Sequence, residues 1–350
     1  MSSLGEIYRC TPRQVREFTT DVIQAGLVPF IKSSPGMGKS SIVRGIGEEF
    51  NLHLIDHRLS TSTQEDLNGL PRFVTNEQGD DRATFVPFDI FPTEKTPIPE
   101  GRDGFLLFLD EANAASKSVQ AASYKLVLDR YVGQEKLNKK LGMVMAGNLM
   151  TDKSIVMPLS TAMQSRVITL EMEVNFDQWL IDVAIPNNYD PRITAFLNYK
   201  QEFLMNFDPD HTDNTFCCPR TWEFMNSLIQ NKEVEDRKTP LYSGTIGSGV
   251  AVSFVQFCKV RDSIPDLKAI INDPLNTNVP IDSPTRWMVV SHLSENVTDE
   301  NFEALTKYVT RMNLEFKVLF FRTVNLRNPD IKRHPAFAQA MGEVAQYLFG

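Results

Sequence analysis

The segment "SSPGMGKSS" (33–41) holds the residue types that grip phosphate. A phosphate-binding loop is written G-x-x-x-x-G-K-[ST]. Its backbone N–H groups and the helix N-terminus behind it hold phosphate oxygens. Its lysine reaches the β- and γ-phosphates, and its hydroxyl reaches Mg2+. Gly38, Lys39 and Ser40 close such a motif, and Pro35, Gly36, Met37 and Ser41 complete the loop and first helical turn. The opening glycine is replaced by Ser33. That position lies where a strand turns away, ahead of the nest at 36–40. Gly36 and Gly38 keep the close-approach positions clear of side chains. Serine is therefore tolerable if its backbone is not held at positive φ, and a working variant of the loop is expected.

A second constellation is "FLLFLDEAN" (105–113), an apolar run ending in Asp110 and Glu111. Asp110 can hold Mg2+ through water, and Glu111 can polarise an attacking water. Two acids ending a strand are common alone. Downstream of a phosphate loop they point to nucleotide hydrolysis. Asn148 ends "LGMVMAGN" (141–148). If that strand lies between the other two, its amide sits near the γ-phosphate and can orient water. Alone, a strand-end Asn is usually a turn residue. His53 and His57 share one face of a strand, but no acid or Cys cluster accompanies them to make a metal site. "EKLNKK" (135–140) reads as a solvated hairpin.

The elements that must position these groups alternate strand and helix through the first half, as in a mainly parallel sheet. Strands are expected at 27–34, 52–59, 104–113, 141–148 and 166–173. The helix after the phosphate loop should bury Ile42, Val43, Ile46 and Phe50 on one stripe. Inserted hairpins are expected at 71–87 and 130–143. In the first, "VTNEQGDD" makes a polar tip, while the flanking "RF" and "FVPF" can pack its arms back onto the domain. From about 174 the pattern is helical, with Trp179, Phe196, Phe203, Trp222 and Phe224 as core anchors. A helix capped by Thr298 is expected over "TDENFEALTKYVTRM". The division is thus an α/β core over 1–172 and a helical part over 173–350.

Composition bounds the function classes. The 350 residues are 42% hydrophobic and 23% charged, which suits a globular chain. The formal charge of −8 argues against holding bare phosphate backbone along the whole surface. No long apolar run or leader pattern points to a membrane, and a cytoplasmic protein is expected. Cys10, Cys217, Cys218 and Cys258 read as ordinary thiols.

Taken together, "SSPGMGKSS", "FLLFLDEANAAS", "MVMAGN", "STAMQSRV" and "CCPRTWE" resemble the AAA+ ATPases, and within them the MoxR-like group. The resemblance spans residues 28–225; beyond, only helical character matches. It implies a P-loop core with a parallel sheet flanked by helices, then a mostly helical lid and C-terminal extension, with ATP and Mg2+ bound between core and lid. Lys39 and Ser40 match the Walker A pair, Asp110 and Glu111 match Walker B, and Asn148 matches sensor 1. Arg166 in "MQSRV" matches the arginine finger, and Arg220 in "CPRTW" matches sensor 2. A finger acting in trans implies a homo-oligomeric ring, a hexamer by family default. Hydrolysis to ADP and phosphate would then remodel or assemble a protein client, with a von Willebrand A domain protein as partner by analogy. The first hairpin would contact the client or partner. Ser33 departs from the family pattern, and so does Ala114, where the family often has arginine. A nucleotide-gated scaffold is one rival reading. A DNA-acting AAA+ protein such as a helicase loader is another, and the missing basic–aromatic interleaving argues against it.

Overall fold

The computed structural model describes residues 8–75, 79–152, 156–259 and 264–348. The chain divides into two compact units, residues 1–175 with 208–210, and 176–207 with 211–350. In the first unit the order is β1 (Arg9–Cys10), α1 (Pro12–Gln24), β2 (Val28–Lys32), α2 (Lys39–Glu49), β3 (Leu52–Arg58), α3 (Gln64–Asn68), β4 (Leu70–Thr75) and β5 (Asp81–Val86). It continues with β6 (Gly104–Asp110), α4 (Lys117–Tyr124), β7 (Tyr131–Val132), β8 (Glu135–Lys136), β9 (Leu141–Gly147), α5 (Thr161–Gln164) and β10 (Val167–Met172).

Six strands form one parallel sheet in the order β1-β10-β2-β9-β6-β3. β9 therefore lies between β2 and β6. Alternate residues feed two apolar layers. Phe105, Leu107, Leu109, Met143 and Met145 pack to one side, and Leu106, Phe108, Val144 and Ala146 to the other. This is why β6 reads as a continuous apolar run. Burying each of the larger of these side chains contributes about 1.5–3 kcal/mol. The strands end earlier than the apolar patterns suggest, at Lys32, Asp110 and Gly147, because the chain must leave the ladder to form the site turns.

Helix α2 buries Val43 and Ile46 against the sheet. Phe50 does not join them. The helix stops at Glu49, and Phe50 becomes an exposed C-cap. The first hairpin is β4 paired with β5 in antiparallel register. Its arms do not pack back: Phe73 is 79% exposed and Phe85 is exposed too. Among the described residues its base is tied down at two points. Gly69 sits at φ +83°, where a Cβ would lie 2.6 Å from the carbonyl carbon of Val86. The Thr84 hydroxyl donates to Gln134 Oε1 at 2.7 Å, joining the first hairpin to the second. That second hairpin is shorter than 130–143. It has two-residue arms, β7 and β8, and residues 141–143 belong to β9.

The second unit contains α6 (Phe176–Trp179), α7 (Pro191–Tyr199), α8 (Pro219–Ile229), α9 (Thr239–Ile246), α10 (Ser248–Lys259) and α11 (Leu267–Asn272). It ends with α12 (Ser283–Glu295), α13 (Phe302–Val309), α14 (Leu314–Arg327) and α15 (Pro335–Leu348). On α8, Trp222, Met225 and Ile229 face inward at helical spacing, and Trp222 Nε1 donates to the Phe203 carbonyl at 2.7 Å. Phe224, two residues past Trp222, falls on the opposite face and is 53% exposed rather than an anchor. Thr298 does not cap a helix. Its carbonyl accepts from the Asn301 and Phe302 N–H groups in a turn, and α13 begins at Phe302 behind Asn301.

Glu295 at the end of α12 is paired with Arg327 at 3.0 Å, yet burial outweighs that attraction and pushes its carboxyl from the ordinary 4.5 to about 7. The folded chain then keeps a proton that the unfolded chain has already released, so stability falls as pH rises from 4.5 through 7. Chemical denaturation of wild type and Glu295→Gln across pH 4–8 checks this. The wild type should lose about 2–3 kcal/mol more than the variant over that range. Parallel pH profiles would contradict it.

Candidate functional site

The site begins where β2 ends. Gly36 and Gly38 adopt left-handed conformations, φ +76° and +86°, and Gly38 forms the N-cap of α2 without a side-chain cap. Helix N-termini leave N–H groups unpaired along their axis, so the loop and the first turn of α2, through Ser40 and Ser41, present donors toward an anion. Pro35 and Met37 complete the loop, and Met37 packs against the sheet layer beneath α2. Ser33 is wholly buried and lies outside the left-handed region, so the missing glycine costs no backbone strain. Its hydroxyl donates to the Ser34 carbonyl at 3.0 Å.

Lys39 Nζ donates to the Ser33 carbonyl at 3.0 Å, Ser33 Oγ at 3.0 Å, the Ser34 carbonyl at 3.3 Å and Asn148 Oδ1 at 3.2 Å. The loop thus holds its own cation in place. The residue that replaces glycine supplies one of those oxygens. Asn148, directly after β9, is brought to the same point because β9 neighbours β2.

Asp110 and Glu111 emerge one strand further along. Asp110 Oδ1 accepts from the Glu111 N–H at 2.8 Å. Burial raises the Asp110 carboxyl above the usual range, with the Glu111 N–H and the Lys39 charge pulling the other way. A divalent cation would supply the countercharge that burial denies it, and the Ser40 hydroxyl is the matching hard donor on α2. The residues present therefore suit a Mg2+-bound polyphosphate. Glu111 takes φ +54°, a left-handed conformation for a non-glycine residue. Its carboxylate accepts from Ser60 Oγ and lies 3.5 Å from Arg58 Nε, at the end of β3.

Four residues of the site were assigned no role from the motifs. Ser60 and Arg58 are two. Asn113 is the third: it is 2% exposed, and its side chain bonds the main chain of Asn148 twice. Asp152 is the fourth. Its Oδ1 accepts from Ser34 Oγ at 3.1 Å, beneath the phosphate loop, and burial pushes its carboxyl up. Only Asn113 left a sequence signal, an amide in a turn just past two acids. The others depend on pairings across distant segments.

The two arginines are placed differently. Arg166 precedes β10, and Val167 pairs with Val28 at the start of β2. It therefore lies at the amino edge of the sheet, about 15 Å along β2 from the loop, exposed, with Nη1 donating to the Ala162 carbonyl at 2.9 Å. Arg220 is exposed in the first turn of α8, in the second unit. His57 Nε2 lies 2.9 Å from Ser62 Oγ, and among the described residues no group of three or more His, Cys, Asp or Glu could hold a metal ion. Ala114 donates its N–H to the Glu111 carbonyl at 3.0 Å, within the acid turn. The four cysteines are free thiols, and no helix among the described residues is long and apolar enough to cross a membrane.

No protein-family model matches the chain, and no curated protein matches it. Solved structures are similar at low identity. A protein of Cytophaga hutchinsonii, provisionally described as an ATPase, is 10% identical over 95% of this chain and 88% of its own, with a TM-score of 0.35. Two variants of Thermotoga maritima RuvB are 14% identical. One covers 77% of this chain and 80% of its own at a TM-score of 0.39, the other 75% and 76% at 0.36. Scores this low carry no functional argument, and the reading of the site rests on its own geometry.

Gly147 closes β9 against this network. A Cβ there would lie 2.8 Å from Asn113 Cγ and 3.0 Å from Phe30 Cε2. Gly147→Ala should destabilise by about 1–3 kcal/mol through overpacking. Gly244→Ala, inside α9 with open space around it, should instead gain up to about 1 kcal/mol. Thermal denaturation of both variants reads the contrast, and a neutral Gly147→Ala would contradict the packing.

Proposed function

We propose that the chain is an ATPase of AAA+ type, hydrolysing ATP to ADP and phosphate. The observation that carries the reading is Lys39. Its ammonium lies between a left-handed glycine loop and Asn148, on the sheet edge from which Asp110 and Glu111 also emerge. The loop N–H groups bind the phosphates. Lys39 exchanges some of its oxygen partners for β- and γ-phosphate oxygens. Asn148, released from Lys39, orients water in line with the γ-phosphorus. Glu111 leaves Ser60 and Arg58 to take the water's proton as the bond to ADP breaks. Ser40 and, through water, Asp110 would hold a Mg2+ ion, which would supply charge neutralisation to the phosphates.

The active form in this reading is a hexameric ring, in which Arg166 of one copy serves the site of the next. The placement of Arg166 supports action in trans: it is too far along β2 to serve the loop of its own chain. Arg220 acts from the helical unit as the lid residue. The ring's work is remodelling a protein client in MoxR-like fashion, beside a partner bearing a von Willebrand A domain. The exposed Phe73 and Phe85 of the first hairpin support a protein-contacting role there.

Lys39→Ala should abolish nucleotide binding, because the loop loses its cation. Glu111→Gln should bind ATP and fail to hydrolyse it. Calorimetry and phosphate release on both variants check this, and wild-type affinity in Lys39→Ala would refute the site.

Arg166→Ala should keep ATP binding and lose turnover by roughly 10³–10⁵-fold. Mixing it with Glu111→Gln should restore part of the activity. An Arg166→Ala subunit keeps its Glu111 and can borrow Arg166 from a Glu111→Gln neighbour. Silent rings that demonstrably contain both variants would refute the trans assignment.

A further inference from the structure

We propose that Asn113 is a positioning residue of the ATP site, holding Asn148 in the orientation that lets its amide serve Lys39 and the attacking water. The proposal rests on the ATPase reading above. Its basis is a two-point clasp between segments 35 residues apart. Asn113 Nδ2 donates to the Asn148 carbonyl at 2.8 Å, and the Asn148 N–H donates to Asn113 Oδ1 at 3.1 Å.

The clasp matters because of where the sheet stops. Gly147 is the last residue of β9 paired with β2. The Ser33 N–H still reaches the Gly147 carbonyl at 3.4 Å, and past that peptide no strand pairing sets the direction of the backbone. Asn113 takes over that task, using both faces of its amide in place of a neighbouring strand. The orientation it sets brings Asn148 Oδ1 to 3.2 Å from Lys39 Nζ. A buried amide with both ends used cannot turn without leaving polar groups unpaired.

Asn113 is itself held by the turn that carries the acids. The Ala112 N–H donates to the Ala146 carbonyl at 2.8 Å, and the Met157 N–H donates to the Asn113 carbonyl at 2.6 Å. Gly147 leaves no room for a side chain beside Asn113. The acid turn and the Asn148 turn are thereby fastened as one piece. A shift of Glu111 cannot leave Asn148 behind, and the water-activating and water-orienting groups keep their spacing.

The nearest isostere shows what is required. In Asn113→Asp the carboxylate still accepts from the Asn148 N–H, but it faces the Asn148 carbonyl with an acceptor instead of a donor. Asn113→Ala removes both bonds. Neither change touches the phosphate loop.

The test is a double-mutant cycle on the full-length chain, reading kcat, KM for MgATP and melting temperature. Asn113→Ala should lower kcat about 10–100-fold, the scale of a misplaced catalytic group, with KM changed less than about 3-fold because the phosphate contacts remain. Asn113→Asp should fall in the same direction. In an Asn148→Ala background, Asn113→Ala should cost no further kcat, since the group it positions is already gone. A purely structural role would instead lower the melting temperature and make the kcat losses multiply. Multiplicative losses, or unchanged kcat in Asn113→Ala, overturn this proposal alone. Absence of ATP turnover in the wild type overturns the ATPase reading and this inference with it.

Discussion

In the parallel register of β2, β9 and β6, Lys32 lies beside Gly147 and Met145 beside Leu109. Hydrogen-bond geometry then leaves three strand ends next to one another on a single edge. Each end releases its chain into a different turn, and each turn brings its own polar groups to that edge: the loop and Lys39 from β2, Asn148 from β9, and the two acids from β6. Parallel sheets bind ligands at such carboxyl edges because strand ends, and not loops alone, fix the positions. The two apolar layers packed on either face hold that register. Slipping one strand by a residue would send each of its side chains into the opposite layer, against partners of the wrong size and shape.

Charge is handled unevenly across this edge. Burial raises the carboxyls of Asp110 and Asp152, and Lys39 opposes the shift at both. The same ammonium also satisfies four oxygens of its own loop and of Asn148. One cation thus moderates two buried acids and keeps the loop folded. On the proposed reading an incoming polyphosphate would compete with protein oxygens for Lys39, and a cation arriving with it would relieve Asp110.

The readable parts of this molecule were those with short-range chemistry. The loop glycines, Lys39, and the acids after an apolar run announce themselves because turn conformation and strand burial act on neighbouring residues. The place of β9 between β2 and β6 was only a condition in the sequence, and the sheet order supplies it. Periodicity failed at element ends. Phe50 lies one residue past its helix, Phe224 lies on the far side of α8, and Thr298 belongs to a turn rather than a cap. The first hairpin was visible as a hairpin, but its Phe73 and Phe85 stay exposed and do not pack its arms back onto the unit. Asp152, Ser60 and Arg58 were not readable, since what makes them part of the site is contact with Ser34 or Glu111 and not anything adjacent in the chain.

Glu111 sits in a conformation that an L-residue pays about 1–2 kcal/mol to adopt. Glycine would occupy that place without the penalty, and would also erase the carboxylate. Stability and chemistry are therefore opposed at this one position. A drift of the sequence toward greater thermal robustness, unchecked by function, would find relief there early. Glycine there would release the backbone and leave Ser60 and Arg58 facing no carboxylate.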